Sequence, residues 1–235
     1  TILDEVSGLQ APALLLLNDG DHTYAKVRFD ETSLDTIRSR LAEVPDELSR
    51  AVIWTSLWNL TRDGEWPVRS YLDTVLNHAP AESNPTLLTT AFANAGYAID
   101  HFVGQEVREE IRADYAERLW EVLQHAPAGS DAQLTFARAA IQALAATLEE
   151  SGTQRLRALL DGSLDGLALD PDIRWSILRA LAARDAVSTE ELEAEKERDN
   201  TLTGAAAFLG TSHAFPSAEV KREVFDLVRT PGKYS

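Results

Sequence analysis

The chain has 235 residues, with 38 acidic against 22 basic side chains, a formal charge of -16 and 44% apolar residues. Such a length and apolar content supply a buried core and argue against disorder, while the negative field argues against nucleic acid or an anionic membrane surface as partner. Cysteine is absent, which excludes disulfides and thiolate metal sites and suits a reducing compartment.

Short apolar runs such as Ala13-Leu14-Leu15-Leu16-Leu17 fall far below the roughly 20 residues of a spanning helix. No basic stretch leads an apolar one, so no secretory signal is visible and the expected location is cytoplasmic. The chain opens Thr1-Ile2-Leu3 without methionine and closes on the turn-like Thr230-Pro231-Gly232-Lys233-Tyr234-Ser235. Both ends are expected to be cuts within a longer protein.

In chain order, residues 1–30 are expected to contribute the end of a β-domain and residues 31–235 a helical domain. Ala13-Leu14-Leu15-Leu16-Leu17 is the first expected strand and Asn18-Asp19-Gly20-Asp21 a turn. Tyr24-Ala25-Lys26-Val27-Arg28-Phe29 alternates as a second strand, predicting a β-hairpin. From Glu31 the period becomes 3.6. Leu34, Ile37 and Leu41 form one stripe, and Ile53, Leu57 and Leu60 the next. Val68, Tyr71, Leu72, Val75 and Leu76 follow, then Leu134, Ala137, Ile141, Leu144 and Leu148, then Val220, Val224 and Leu227.

Asn84-Pro85 and Asp170-Pro171 place a capping side chain before a proline at the first helical position. Ser130-Asp131-Ala132-Gln133 and Ser188-Thr189-Glu190-Glu191 have capping-box spacing. These signals predict about eleven helices, one roughly every twenty residues. The fold class is therefore all-α: stacked antiparallel helix pairs of the HEAT/armadillo-like superhelix type, with a short N-terminal β-hairpin. A bundle predicts the same local patterns, but many short helices do not share one bundle axis.

The five histidines, His22, His78, His101, His125 and His213, include no i, i+4 pair and no H-E-x-x-H. His78 and His125, beside prolines, are expected in solvent. No G-x-S-x-G elbow or glycine-rich phosphate loop occurs. The run Glu190-Glu191-Leu192-Glu193-Ala194-Glu195, with Lys196 and Arg198, reads as a solvated helix face. Asp19-Gly20-Asp21 lacks the further ligands of a calcium loop. Catalytic and metal-binding residues are accordingly expected to be none.

Two arginines stand out. Arg138, between Leu134 and Ile141, is expected on the inner side of its helix, either in an internal ion pair or facing a wet concave surface. Arg174 follows Asp170-Pro171 in a first helical turn, where the dipole disfavours a cation. Asp170 and Asp172 offset that, and Trp175 beside it offers stacking.

Residues 14–30, Leu-Leu-Leu-Leu-Asn-Asp-Gly-Asp-His-Thr-Tyr-Ala-Lys-Val-Arg-Phe-Asp, resemble a segment of zinc aminopeptidases of the aminopeptidase N family. There a strand, an asparagine turn and a Tyr-x-x-Val-x-aromatic-acidic strand end a small β-sandwich, and a large C-terminal helical domain follows. Thr61-Arg62-Asp63-Gly64-Glu65 and Asp172-Ile173-Arg174-Trp175 look like stretches of actinobacterial members. The resemblance covers nearly the whole chain.

It implies a non-catalytic domain of a zinc aminopeptidase, an enzyme that removes N-terminal residues from peptides. H-E-x-x-H and G-x-M-E-N are absent here, so no catalytic residue carries over. Zinc and the general base would belong to the preceding portion, and this chain alone is expected to be inactive. By resemblance its partners are the catalytic and β domains of the same polypeptide, together with peptide substrates. The domain would close the chamber and contact or gate the peptide, although the chain is expected to stop short of the domain's last helices. Arg138, Arg174 and Trp175 are the expected peptide contacts. A free-standing helical-repeat scaffold is the rival reading, and an all-helical enzyme with its own site is a third.

Overall fold

The computed structural model describes residues 8–230, which divide after Gly104 into two compact units. The expected turn-like end at 231–235 and the opening residues lie outside the described residues. Eleven α-helices and no strand occur among the described residues.

The first unit holds α1 (Glu31–Arg40), α2 (Glu47–Arg62), α3 (Val68–His78) and α4 (Pro85–Phe102). Each stripe read from this part of the sequence supplies core: Ile37, Ile53, Leu57, Tyr71 and Val75 are almost wholly out of water, whereas the later stripe of Val220, Val224 and Leu227 supplies no buried residue. α3 packs against α1, α2 and α4, so its apolar face is covered on three sides. Polar ends are satisfied locally. The Asp30 and Asp46 side chains accept the Ser33 and Ser49 N–H groups, and Asn84 accepts those of Thr86 and Leu87.

The expected β-hairpin is not formed. Asn18 at φ 60° and Gly20 at φ 75° close a 3-10 turn over Asp19–Asp21. The Asn18 side chain donates to the Thr23 carbonyl and accepts the Thr23 N–H, both at 2.8 Å. This turn sends its flanks onto helices instead of onto each other. The Leu15 N–H donates to Ser33 Oγ at 2.9 Å, the Thr36 hydroxyl donates to the Ala13 carbonyl at 2.6 Å, and Val27 is buried. A lone hairpin is marginal in water, and helices with free polar groups are the better partners here.

His78 also departs from expectation. It is buried at the end of α3, with Nε2 3.0 Å from the Arg38 carbonyl and Nδ1 accepting the Ala42 N–H at 3.3 Å. A carbonyl on one nitrogen and an N–H on the other select the neutral Nε2–H tautomer. The ring thereby satisfies backbone groups left at the end of α1.

The second unit holds α5 (Gln105–Gln124), α6 (Asp131–Ala146), α7 (Glu150–Leu160), α8 (Pro171–Ala182), α9 (Thr189–Arg198), α10 (Leu202–Ser212) and α11 (Ala218–Arg229). Successive helices pair, α5 with α6, α7 with α8 and α9 with α10, while α6 meets α8 and α8 meets α10. Ser188 forms a full capping box: its Oγ accepts the Glu191 N–H while the Glu191 carboxylate accepts the Ser188 N–H. Ser130 forms half of one, because the Gln133 side chain reaches instead to the Gly129 N–H and the Asp165 carbonyl. The α6 stripe stops before its last predicted member, since the helix ends at Ala146 and Leu148 is exposed.

One buried ion pair pins the first unit. Arg50 Nε and Nη2 donate to Glu82 at 2.9 and 3.0 Å, and Nη1 donates to the Val44 and Pro45 carbonyls. Their side chains are 11% and 3% exposed. Burial pushes the Glu82 carboxyl up, but bonds from Arg50, the Asn84 N–H and Trp54, with the Arg50 charge, outweigh it and hold it below its ordinary 4.5. Glu82→Gln leaves Arg50 buried without its charge partner, an expected loss of roughly 3–5 kcal/mol by urea denaturation at pH 7. Since the folded carboxyl is the stronger acid, this difference is complete above pH 4.5 and closes as pH falls through the lower folded value.

Candidate functional site

The three residues singled out in the sequence lie on α6 and on the first turn of α8. Asp170 caps α8 with Oδ1, accepting the Ile173 N–H at 2.8 Å, and its Oδ2 accepts Arg138 Nη2 at 3.1 Å. Arg138 is exposed, with its side chain 53% accessible, so it does not lie on the inner side of α6. The buried face is built from Gln133, Phe136, Ala137, Ala140, Ile141 and Leu144. That face is rotated away from Leu134, which leaves Arg138 at its edge.

Arg174 and Trp175 point into the unit. Arg174 makes a two-bond fork to Glu195, Nε to Oε1 at 2.7 Å and Nη2 to Oε2 at 2.6 Å. The side chains are 15% and 6% exposed. The Glu195 carboxylate raises the Arg174 guanidinium above its ordinary value, so the ion stays charged. Trp175 Nε1 donates to Asp199 Oδ2 at 2.8 Å, and its ring stands edge-on to Phe208 at 6.5 Å. Lys196 lies over the other aromatic partner, with Nζ 4.3 Å from the Phe208 centroid.

Glu195 and Asp199 are the residues that sequence reading missed. Glu195 belongs to the acidic run read as a solvated face, yet it is buried beside Leu192. The signal was available, since Glu195 follows Leu192 by three and so shares its apolar side. Glu191 is likewise occupied, accepting from Arg157 as well as capping its own helix. Asp199 shapes the start of α10: a Cβ at Gly204 would sit 2.2 Å from the Asp199 carbonyl and 2.5 Å from Oδ2.

A cleft of about 270 Å³ opens between α5, the end of α6 and the start of α7, and none of Arg138, Arg174 and Trp175 lines it. Its polar lining includes Asp114, Thr147, Glu149 and the exposed pair Glu117–Arg155 at 2.7 Å. Behind it Arg184 Nη2 donates to the Leu144 and Thr147 carbonyls, which the end of α6 leaves free. Burial pulls the Arg184 guanidinium below its ordinary value. Gly152 belongs there because a Cβ would come within 3.1 Å of Thr147 Oγ1 and 3.3 Å of the Leu144 carbonyl.

None of these arrangements joins a nucleophile to a base. Among the described residues no group of three or more His, Asp or Glu side chains is placed to hold a metal, and no helix is long and apolar enough to cross a membrane. Of the two arginines singled out, Arg138 is the one that presents its guanidinium to solvent. Glu195→Ala should strand the buried Arg174 and cost roughly 3–5 kcal/mol in urea denaturation, whereas Arg138→Ala should cost under about 1 kcal/mol. Gly204→Ala forces backbone apart at Asp199 and should cost roughly 1–3 kcal/mol in the same assay.

Comparison with known proteins now gives the context. The ERAP1-like C-terminal domain family matches residues 14–233. Aminopeptidase N of Streptomyces lividans is 37% identical over 230 residues, covering 97% of this chain and 26% of that protein. The chain thus spans about a quarter of the length of that relative. It belongs to the ERAP1-like C-terminal domain family, and is the C-terminal helical part of an aminopeptidase N-like protein.

Proposed function

We propose that this domain forms the wall of the catalytic chamber in a zinc aminopeptidase, closing it over the peptide and contacting or gating the far end of the substrate. The observation that carries the reading is the family match across 14–233. The described residues do not fit a zinc ion, so the metal and general base belong in this reading to the remainder of the polypeptide. Residues 31–235 would make up the helical domain, with 1–30 leading in from a β domain. The chain by itself would be inactive, and the lack of cysteine supports a cytoplasmic parent enzyme.

The helix contacts support an α-α superhelix, because α6, α8 and α10 touch in series while each is also paired to the helix before it. Stacked pairs of this kind present extended concave surfaces. Among the expected contacts, Arg138 has the exposed guanidinium that a peptide carboxylate requires. Arg174 and Trp175 act in this reading by holding the first turn of α8, and with it Asp170, against Arg138.

The test uses the intact aminopeptidase and a peptide length series. Arg138→Ala should raise KM for longer peptides about ten-fold, the scale of one charge-assisted hydrogen bond, while a single-residue chromogenic amide is turned over unchanged. Equal kcat/KM for wild type and variant at every length would exclude the contact.

A further inference from the structure

The stretch between the Asn18 turn and α1 is attached differently from the helices of the first unit. Residues 24–29 make no backbone–backbone hydrogen bond with any described residue. Val27 is buried, Phe29 is half-buried and Tyr24 is fully exposed, while the charged side chains of the stretch tie it to the α2–α3 turn. Lys26 Nζ lies 2.7 Å from Asp63 Oδ2 and Arg28 Nη2 lies 2.6 Å from the same oxygen. Arg28 also meets Glu65, Nε to Oε2, at 2.6 Å.

The anionic side of this cluster is a rigid socket. Asp63 is the C-cap of α2, Gly64 follows at φ 77°, and the Glu65 and Trp66 N–H groups both donate to the Leu60 carbonyl. Only a residue free of Cβ adopts that positive φ without strain. Trp66 is buried beneath the Arg38 guanidinium, 4.2 Å from the ring centroid, which fixes the far side of the turn. Two carboxylates at a helix C-terminus add to the negative end of its dipole. Lys26 and Arg28, brought from more than thirty residues upstream, offset that charge.

We infer that Lys26, Arg28, Asp63 and Glu65 form an ionic strap that fastens residues 22–29 to the α2–α3 turn and opens as a local unit, leaving the helices folded. The four side chains are between 26% and 54% exposed, so salt reaches them, and at 1 M the Debye length is about 3 Å. The helices beneath rest on many apolar side chains and on intrahelical bonds, which such salt does not remove, whereas Val27 is the single buried side chain of residues 22–29. The pinned points on either side, Asp19 to Ser49 and Asp30 to Ser33, limit the opening to the stretch between them.

A cysteine-free chain makes the test clean. A nitroxide on Tyr24→Cys in the whole chain reports the mobility of the strap by electron paramagnetic resonance, while circular dichroism reports the helices. The mobile fraction should rise at least three-fold between 0.05 and 1 M NaCl at constant helical signal. The same rise should appear at low salt in Asp63→Asn/Glu65→Gln. Adding Asp63→Lys/Glu65→Lys to Lys26→Glu/Arg28→Glu should return the label to its wild-type mobility. Mobility indifferent to salt and to Asp63→Asn/Glu65→Gln would overturn the strap. So would mobility that rises only as helical signal is lost, since the segment would then unfold with the body. Failure of the charge-reversed quadruple variant to restore order would overturn the pairing itself.

Discussion

Helices of ten to twenty residues do not persist alone in water, because the nucleation cost is recovered only through packing. That constraint governs the chain. A helix gains by laying an apolar stripe on a neighbour, as α1 to α9 do here with buried apolar side chains, and the helices that serve most neighbours become hubs. α3 meets α1, α2 and α4, while α8 meets α6, α7 and α10. Crossing helices in this way buries their ends, where free N–H and C=O groups lack intrahelical partners. Satisfying those ends is the second problem the sequence has to solve.

Arginine solves much of it. Arg50 collects two carbonyls before α2 and the Glu82 carboxylate. Arg184 takes the two carbonyls at the end of α6, and Arg157 reaches the Ala186 carbonyl together with Glu191. Arg174 closes on Glu195. A planar fork with five donors suits such ends better than an ammonium, and it keeps its charge when half-buried. In a chain with a large excess of acid, this structural use consumes most of the buried cations. Arg138, by contrast, keeps its guanidinium exposed beside Asp170.

The helical part was legible in the sequence because its signals are local. Asn84, Asp170, Ser188 and the stripes from Ile37 to Leu76 each act within one turn of helix, and all appear where their spacing put them. The failures share a different cause. Whether residues 13–29 pair as a hairpin depends on what lies beside them, and Ser33, Thr36 and Asp63 were better partners than the opposite strand. Arg138 was misplaced because α6 turns Phe136 and Ala140 inward ahead of Leu134. The Glu195 partner of Arg174 lies 21 residues away, beyond any local pattern. Recognition of the family came from stretches such as Lys26-Val27-Arg28 and Arg62-Asp63-Gly64-Glu65. In the structure these form the two sides of one ion-pair cluster, a pairing invisible to helical periodicity.

If the domain walls a chamber as proposed, it can influence catalysis by two routes, and the geometry separates them. Trp175 and Glu195 are buried and bonded to the half-buried Asp199 and Arg174 respectively, so a change at any of them alters the position of α8 and the stability of the unit together. Arg138 holds its place through one exposed contact to Asp170, and its removal leaves the packing of α6 intact. An effect on peptide selectivity that tracks unfolding free energy across such variants would then be an effect of shape. One that appears at Arg138 without a matching loss of stability would be an effect of contact. The two routes differ because desolvation makes the inner pair indispensable to the fold, while water around Arg138 leaves it free to exchange one carboxylate for another.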